Sequence, residues 1–330
     1  MSGFHIGRVL LLLVFALIVL GGFAIGSPSI LSVDNLSSMA VFAVEVGIIA
    51  FGQALVIEGG DGAIDLSVGA VSGLAQILAA QWLARGLPWP VGVGIAVVSG
   101  ALMGMVNAVA ITRFRIPAII ATLGSMFAIS GLALVVSEGN TIDLTAAPAA
   151  FLAIGQGSVG GVPFQILCIY LPLLALLAFM QHRSRLGRAL YLTGTNATAA
   201  YLAGLPVVRL RAATYVLSGA LAGLAGVIAA SRLGTATPDG VPEANLISIA
   251  IVVLGGASIF GGDGSPIGTA IATATIAIAN YGLNYNDFNP TLQAGLLGLI
   301  LISVVLIENL LRGRMPHFLS TLRIKGKATS

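Results

Sequence analysis

Long apolar stretches recur along this chain, and they decide most of what it can become. The first, RVLLLLVFALIVLGGFAIG at 8–26, is about as long as a helix needs to cross hydrocarbon. Similar candidate spans lie near 38–57, 65–84, 89–111, 117–136, 163–181, 211–230, 245–260, 266–284 and 292–311. Between them there is little to face water: 57% of the 330 residues are hydrophobic and 8% charged. Soluble domains are about a quarter charged, so this surface belongs in a bilayer. There, backbone polar groups need internal partners, which leaves helices or closed barrels. A barrel needs short alternating segments, whereas these stretches are continuous. The expectation is an all-α integral membrane protein of about ten transmembrane helices, forming one domain over 1–330.

Charge placement gives the orientation. An even number of spans puts both termini on one side. If that side is cytoplasmic, all of the 15 lysines and arginines except Arg85 and Arg232 fall inside, as the positive-inside rule requires. The N-terminal run is longer than a signal-peptide core and no A-x-A site follows, so it reads as a retained first span. The third span begins in polar EGGDGAIDLS and the eighth is short, so either could be broken or re-entrant. Two connecting segments are long: an outer one at 137–162 without a basic residue, and an inner one at 182–210. GGDG stands at both 59–62 and 261–264; in a chain with 43 glycines, coincidence is the preferred reading over an internal repeat.

Several chemistries are excluded. There is no G-x-x-x-x-G-K-[ST], and the lysines stand only at 325 and 327, so the chain has no phosphate-binding loop of its own. His5, His182 and His317 form no metal-ligand pattern, and no nucleophile has a base beside it. Cys168 is single and sits in an apolar run, a structural thiol. The arginines lack aromatic interleaving, so nucleic acid is not implied. No cofactor, metal or enzymatic activity is expected.

The polar stretch LGRALYLTGTNATAAYLAGLPVVRLR at 186–211 interrupts this pattern. Thr193, Thr195 and Asn196 are placed to cap a short helix over 197–202, Gly204 to end it and Pro206 to prevent its continuation. It reads either as a surface loop or as a coupling helix that docks into an ATPase. On the second reading Gly194, Asn196, Ala199, Ala200, Tyr201, Gly204 and Leu205 form the dock, with small alanines allowing close approach.

These segments carry a resemblance. IDLSVGA (64–70), IPAIIATLGSM (116–126), the 186–211 stretch and AIVVLGGASIFGGDGSPIGTAIA (250–272) together resemble, in the same order, the permease subunits of bacterial ATP-binding-cassette importers of the ribose/xylose/autoinducer-2 type. The resemblance implies an inner-membrane permease for a monosaccharide; a similar permease for branched-chain amino acids and a stand-alone secondary transporter are the alternatives. It also implies a second permease subunit, cytoplasmic ATPase subunits and a periplasmic sugar-binding protein. Two features depart from the pattern: the residues of EGGDGAIDLS, with Glu58 and Asp61, and Thr198 with Leu205 in the coupling stretch.

Single polar residues inside apolar stretches are candidates for the path. Glu45 lies mid-span, where an ionisable group is expensive; it lines the pathway or bonds a neighbouring helix. Gln53, Gln76, Asn107, Thr122, Ser125 and Asn280 are neutral groups suited to sugar hydroxyls, or else interhelical hydrogen bonds. Asp65, with Ser67 beside it, heads the third span as a cap or as a gating residue. Gly100, Gly104 and Ala108, like Gly219 and Gly223, repeat at four-residue spacing and mark tight helix contacts.

Overall fold

The computed structural model describes residues 2–241 and 243–289 with positions 292, 295, 298 and 299, the side chains of 2–9 and 11 excepted. Most of the tenth expected span, and the basic tail from 312 onward, lie outside the described residues. Among the described residues twelve α-helices follow one another: α1 Ser2–Gly26, α2 Val33–Glu58, α3 Val68–Ala84, α4 Trp89–Thr112, α5 Ala118–Val136, α6 Ala149–Gln156, α7 Leu171–Arg183, α8 Arg185–Thr195, α9 Ala197–Leu202, α10 Val207–Leu233, α11 Ala244–Leu254 and α12 Pro266–Tyr285. A π-helical turn, Gln165–Tyr170, leads into α7. Two short antiparallel pairs complete the fold: β1 (Ile142–Asp143) with β4 (Thr235–Ala236), and β2 (Ser158–Val159) with β3 (Val162–Pro163). The chain divides into two units, Met1–Gly282 and Leu283–Ser330; everything below concerns the first.

Among the described residues five helical segments are long and apolar enough to cross a membrane: α2, α4, α5, the continuous Gln165–Arg183 and α10. α3 has 17 residues, at the lower limit for a span, whereas α11 has only 11, about 16 Å of helix, too short to span alone. α3 follows a glycine turn and α11 precedes one. α4, α5 and α7 leave Leu102, Val106, Ile120, Phe127, Leu176 and Phe179 exposed. In hydrocarbon such side chains cost nothing. The chain is a multi-pass membrane protein.

α10 is the centre of the bundle, packing most extensively on α4, then on α2 and α3. Its seam with α4 is made of missing side chains. A Cβ on Gly100 would strike the Gly219 carbonyl, one on Gly104 the Tyr215 carbonyl, and one on Gly223 the Ala96 carbonyl. The spacing read from the sequence is thus a backbone-to-backbone contact, where dispersion is gained without hydrophobic drive. α2 is buried continuously from Val44 to Glu58.

The two ends of the bundle differ. One carries the C-termini of α2 and α4, the start of α10 and the exposed Arg113, Arg115, Arg183, Arg185, Arg188 and Arg209. At the other, α6 and the β1–β4 pair cover α10, and Phe151, Leu144, Ala230 and Leu83 share one core. Ser231 fastens that cover: its hydroxyl donates to the Phe151 carbonyl (2.7 Å) and accepts from the Gly155 N–H (2.8 Å).

Candidate functional site: the coupling segment and its seat

At the basic end the chain turns back on itself at Ser184, whose Oγ accepts from the Gly187 N–H (3.0 Å) and starts α8. Asn196 then breaks the helix with an extended backbone, and its Oδ1 accepts from the Ala199 N–H at 2.9 Å, capping α9. After one and a half turns Gly204, at φ +82°, ends it. The Leu205 N–H reaches the Ala200 carbonyl (3.0 Å) and the Gly204 N–H the Tyr201 carbonyl (2.9 Å), a complete Schellman closure. Pro206 stands before α10. Ala200 is buried against the body, whereas Tyr201 is 71% and Leu202 80% exposed. The cap is Asn196 alone: Thr195 Oγ1 donates back to the Tyr191 carbonyl (2.8 Å), and Thr193 is buried.

The segment is seated on glycine. A Cβ on Gly194 would collide with the Glu58 carbonyl and the Gly262 N–H, and one on Gly60 with the backbone of Gly194. One on Gly261 would meet Gly60, and one on Gly262 would meet Thr195. The two GGDG loops, set down to coincidence in the sequence, therefore meet each other and the end of α8. Two helix ends share one turn: Gly59 and Gly255 cap α2 and α11 at φ −63° and −64°, followed by Gly60 at +80° and Gly256 at +93°. Arg211 ties α10 to the same place, donating to the Gly59 carbonyl (3.3 Å) and pairing with Asp61 at 3.0 Å.

Beneath this junction lies a polar cluster that sequence reasoning missed. Glu58, fully buried, accepts from Gln181 Nε2 at 2.5 Å. Tyr191 reaches the Gly264 carbonyl at 2.6 Å and Gln181 Oε1 at 3.1 Å. Burial, and then the nearby Glu58 and Asp263 charges, push the Tyr191 phenol up, so it stays a donor. An acid in the last turn of an apolar helix was the available signal.

Two of the neutral pathway candidates, Gln53 and Asn107, come together at Asp65 and Ser67. Asp65 lies ahead of α3, which starts at Val68, so it does not cap from within the first turn. It makes an Asx turn: Oδ1 accepts from the Ser67 N–H (3.0 Å) and Ser67 Oγ (2.6 Å), and Oδ2 accepts from Ser218 Oγ (3.0 Å). Asn107 donates to Ser67 Oγ (2.8 Å). Gln53, with its amide assigned to suit, bonds both backbone groups of Asp65, at 3.0 and 3.2 Å. These residues knot α2, α4 and α10 around the start of α3. Gln76 donates to the Thr237 carbonyl (2.8 Å). Thr122 and Ser125 bond their own helix, to Ala118 (2.8 Å) and Thr122 (3.0 Å). Asn280 borders an apolar pocket with Phe42, Val46, Ile251 and Thr273. Glu45 is ion-paired with Arg232 of α10, Nε to Oε1 at 2.5 Å and Nη2 to Oε2 at 3.1 Å. That partner could not be read from the sequence.

No group of three or more metal-ligating side chains exists among the described residues. The described residues form a helical membrane protein with an exposed, capped helix at its basic end. Comparison with known proteins makes this specific. Residues 35–305 match the family described as branched-chain amino acid transport system / permease component, and the chain belongs to that family. It is 34% identical over 282 residues to the ribose import permease protein RbsC of Bacillus subtilis, covering 86% of this chain and 87% of that one. It is 31% identical over 296 residues to the autoinducer 2 import system permease protein LsrD of Yersinia enterocolitica, covering 88% of each. The fructose import permease protein FrcC of Rhizobium meliloti is 33% identical over 273 residues, 81% of this chain and 75% of the relative. No solved structure matches it.

Proposed function

We propose that the chain is the membrane-spanning subunit of an ATP-driven importer for a monosaccharide or related polyol in a bacterial inner membrane. It works with a cytoplasmic ATPase, an external solute-binding protein and a second permease subunit. One observation carries this reading: α9 is held rigidly by Asn196 and Gly204 yet presents Tyr201 and Leu202 to the outside. An aromatic–aliphatic tip on a capped helix suits a protein interface. The chain has no nucleotide-binding loop, so the energy must enter through such a contact.

In this reading the basic end is cytoplasmic, with both termini and about ten spans arranged accordingly. The loaded binding protein docks at the opposite end, over 137–162 and the segment after α10. Closure of the ATPase moves α9 and shifts the population between inward- and outward-open states. Gln53, Asn107, Asp65 and Ser67 then exchange their mutual bonds as α2, α4 and α10 part. Sugar is favoured over other solutes because the relatives above are named for ribose, fructose and autoinducer 2. The family description favours a second reading, a branched-chain amino acid.

The test is co-purification from the host membrane, native chain beside Leu202→Glu. Leu202 is 80% exposed, so the variant folds. An ATPase subunit held by the native chain and lost from the variant is expected; a folded native chain that brings none sinks the reading. Uptake of labelled ribose and fructose, against labelled leucine, separates the two solute classes.

A further inference from the structure

We propose that Glu58 is a positioning residue for transport: its buried carboxylate holds α8 on the glycine junction, so that a displacement of α9 reaches α2 and the loop 258–264 together. The inference rests on reading α9 as the ATPase dock.

Glu58 is the last residue of α2 and is fully buried. Oε2 accepts from Gln181 at the end of α7. Oε1 has no hydrogen-bond partner, and it lies where a Cβ on Gly264 would stand. The Glu58 carbonyl accepts the Gly262 N–H at 3.1 Å. Tyr191 closes the ring from α8, its single proton serving the Gly264 carbonyl at 2.6 Å while Gln181 Oε1 lies 3.1 Å away. The Glu58 side chain therefore touches α7 and the 258–264 loop, and α8 joins the same group through Tyr191.

Stability does not explain the residue type. A carboxylate buried with one oxygen unbonded is costly, and a hydrocarbon of the same size would fill the space more cheaply. The arrangement does explain it. Without the acceptor, Gln181 loses its hold on α2. Gln181, the second acceptor beside the Tyr191 hydroxyl, is then no longer held in place, and α8 keeps only the Tyr191–Gly264 bond and the glycine contacts.

The experiment compares native chain, Glu58→Ala, Glu58→Leu and Glu58→Gln, each assembled with ATPase and binding protein in liposomes. Two quantities are read: solute transported per ATP hydrolysed, and amide hydrogen exchange at 187–196 and 258–264. Loss of the buried Gln181–Glu58 hydrogen bond predicts that Glu58→Ala and Glu58→Leu lower transport per ATP about tenfold and speed exchange in both segments about tenfold. Glu58→Gln, whose Oε1 still accepts from Gln181, stays within about twofold of native on both. Native-like transport per ATP in Glu58→Leu overturns the proposal, because Glu58 then only fills space. So does a Glu58→Gln that fails as far as alanine. If the native chain binds no ATPase, the functional reading falls separately. The exchange measurement then decides by itself whether Glu58 holds α8, and unchanged exchange in Glu58→Ala overturns that too.

Discussion

Replacing Glu45 by Gln leaves Arg232 inside the protein without its counter-ion. The pair is bidentate, and its side chains are 4% exposed for Glu45 and 25% for Arg232. Removing one partner of a buried pair costs about 3–5 kcal/mol. With a quarter of its side chain in solvent, Arg232 recovers part of that, so about 2–3 kcal/mol is expected. At about 2–4 °C per kcal/mol for a domain of comparable size, the midpoint of thermal unfolding in mild detergent drops by roughly 5–10 °C. Removing both charges, in Glu45→Leu with Arg232→Met, recovers most of the loss, because desolvation then falls on neither group. The assay is loss of the monodisperse peak on size exclusion after heating. A Glu45→Gln midpoint within about 2 °C of native, or a double variant no more stable than the single, would refute the reasoning.

Gly194→Ala forces a Cβ into the Glu58 carbonyl and the Gly262 N–H, and is expected to cost at least about 1–3 kcal/mol, read as a lower unfolding midpoint. Gly124→Ala, in α5 with nothing near its Cβ, is the control and stabilises by about 0.5–1 kcal/mol in the same assay. Asn196→Ala removes the α9 cap at a cost of about 1 kcal/mol, seen as faster exchange of the Ala199 amide with α10 unaffected. Ser231→Ala frees the Gly155 N–H and the Phe151 carbonyl, so protease should cut within 144–157 sooner while the basic end stays protected.

The features legible beforehand are those whose physics acts over a few residues. Asn196 caps α9 through an amide three positions on, and Gly204 closes it through its own φ, so spacing alone reveals both. The small faces of α4 and α10 were equally plain, because absence of a side chain at four-residue intervals is a property of one helix. Glu45, Gln53 and Asn107 were visible as polar groups in apolar helices, but their purpose was not. The bond from Glu45 to Arg232 crosses 187 positions and that from Gln181 to Glu58 crosses 123. No local pattern encodes either. The meeting of the two GGDG loops over Gly194 was discounted for the same reason: glycine carries no signature of what will press against it.

Apolar length and scarce charge, by themselves, determined that this chain is helical and lives in a bilayer, because backbone groups in hydrocarbon have no other escape. The sparse arginines determined which end is basic, and the local caps determined where α9 begins and stops. Only the tertiary structure decided which glycines became a junction, which carboxylates acquired partners, and how short α11 is. Those outcomes depend on backbones brought together from distant parts of the chain, where the deciding quantity is the space left between them.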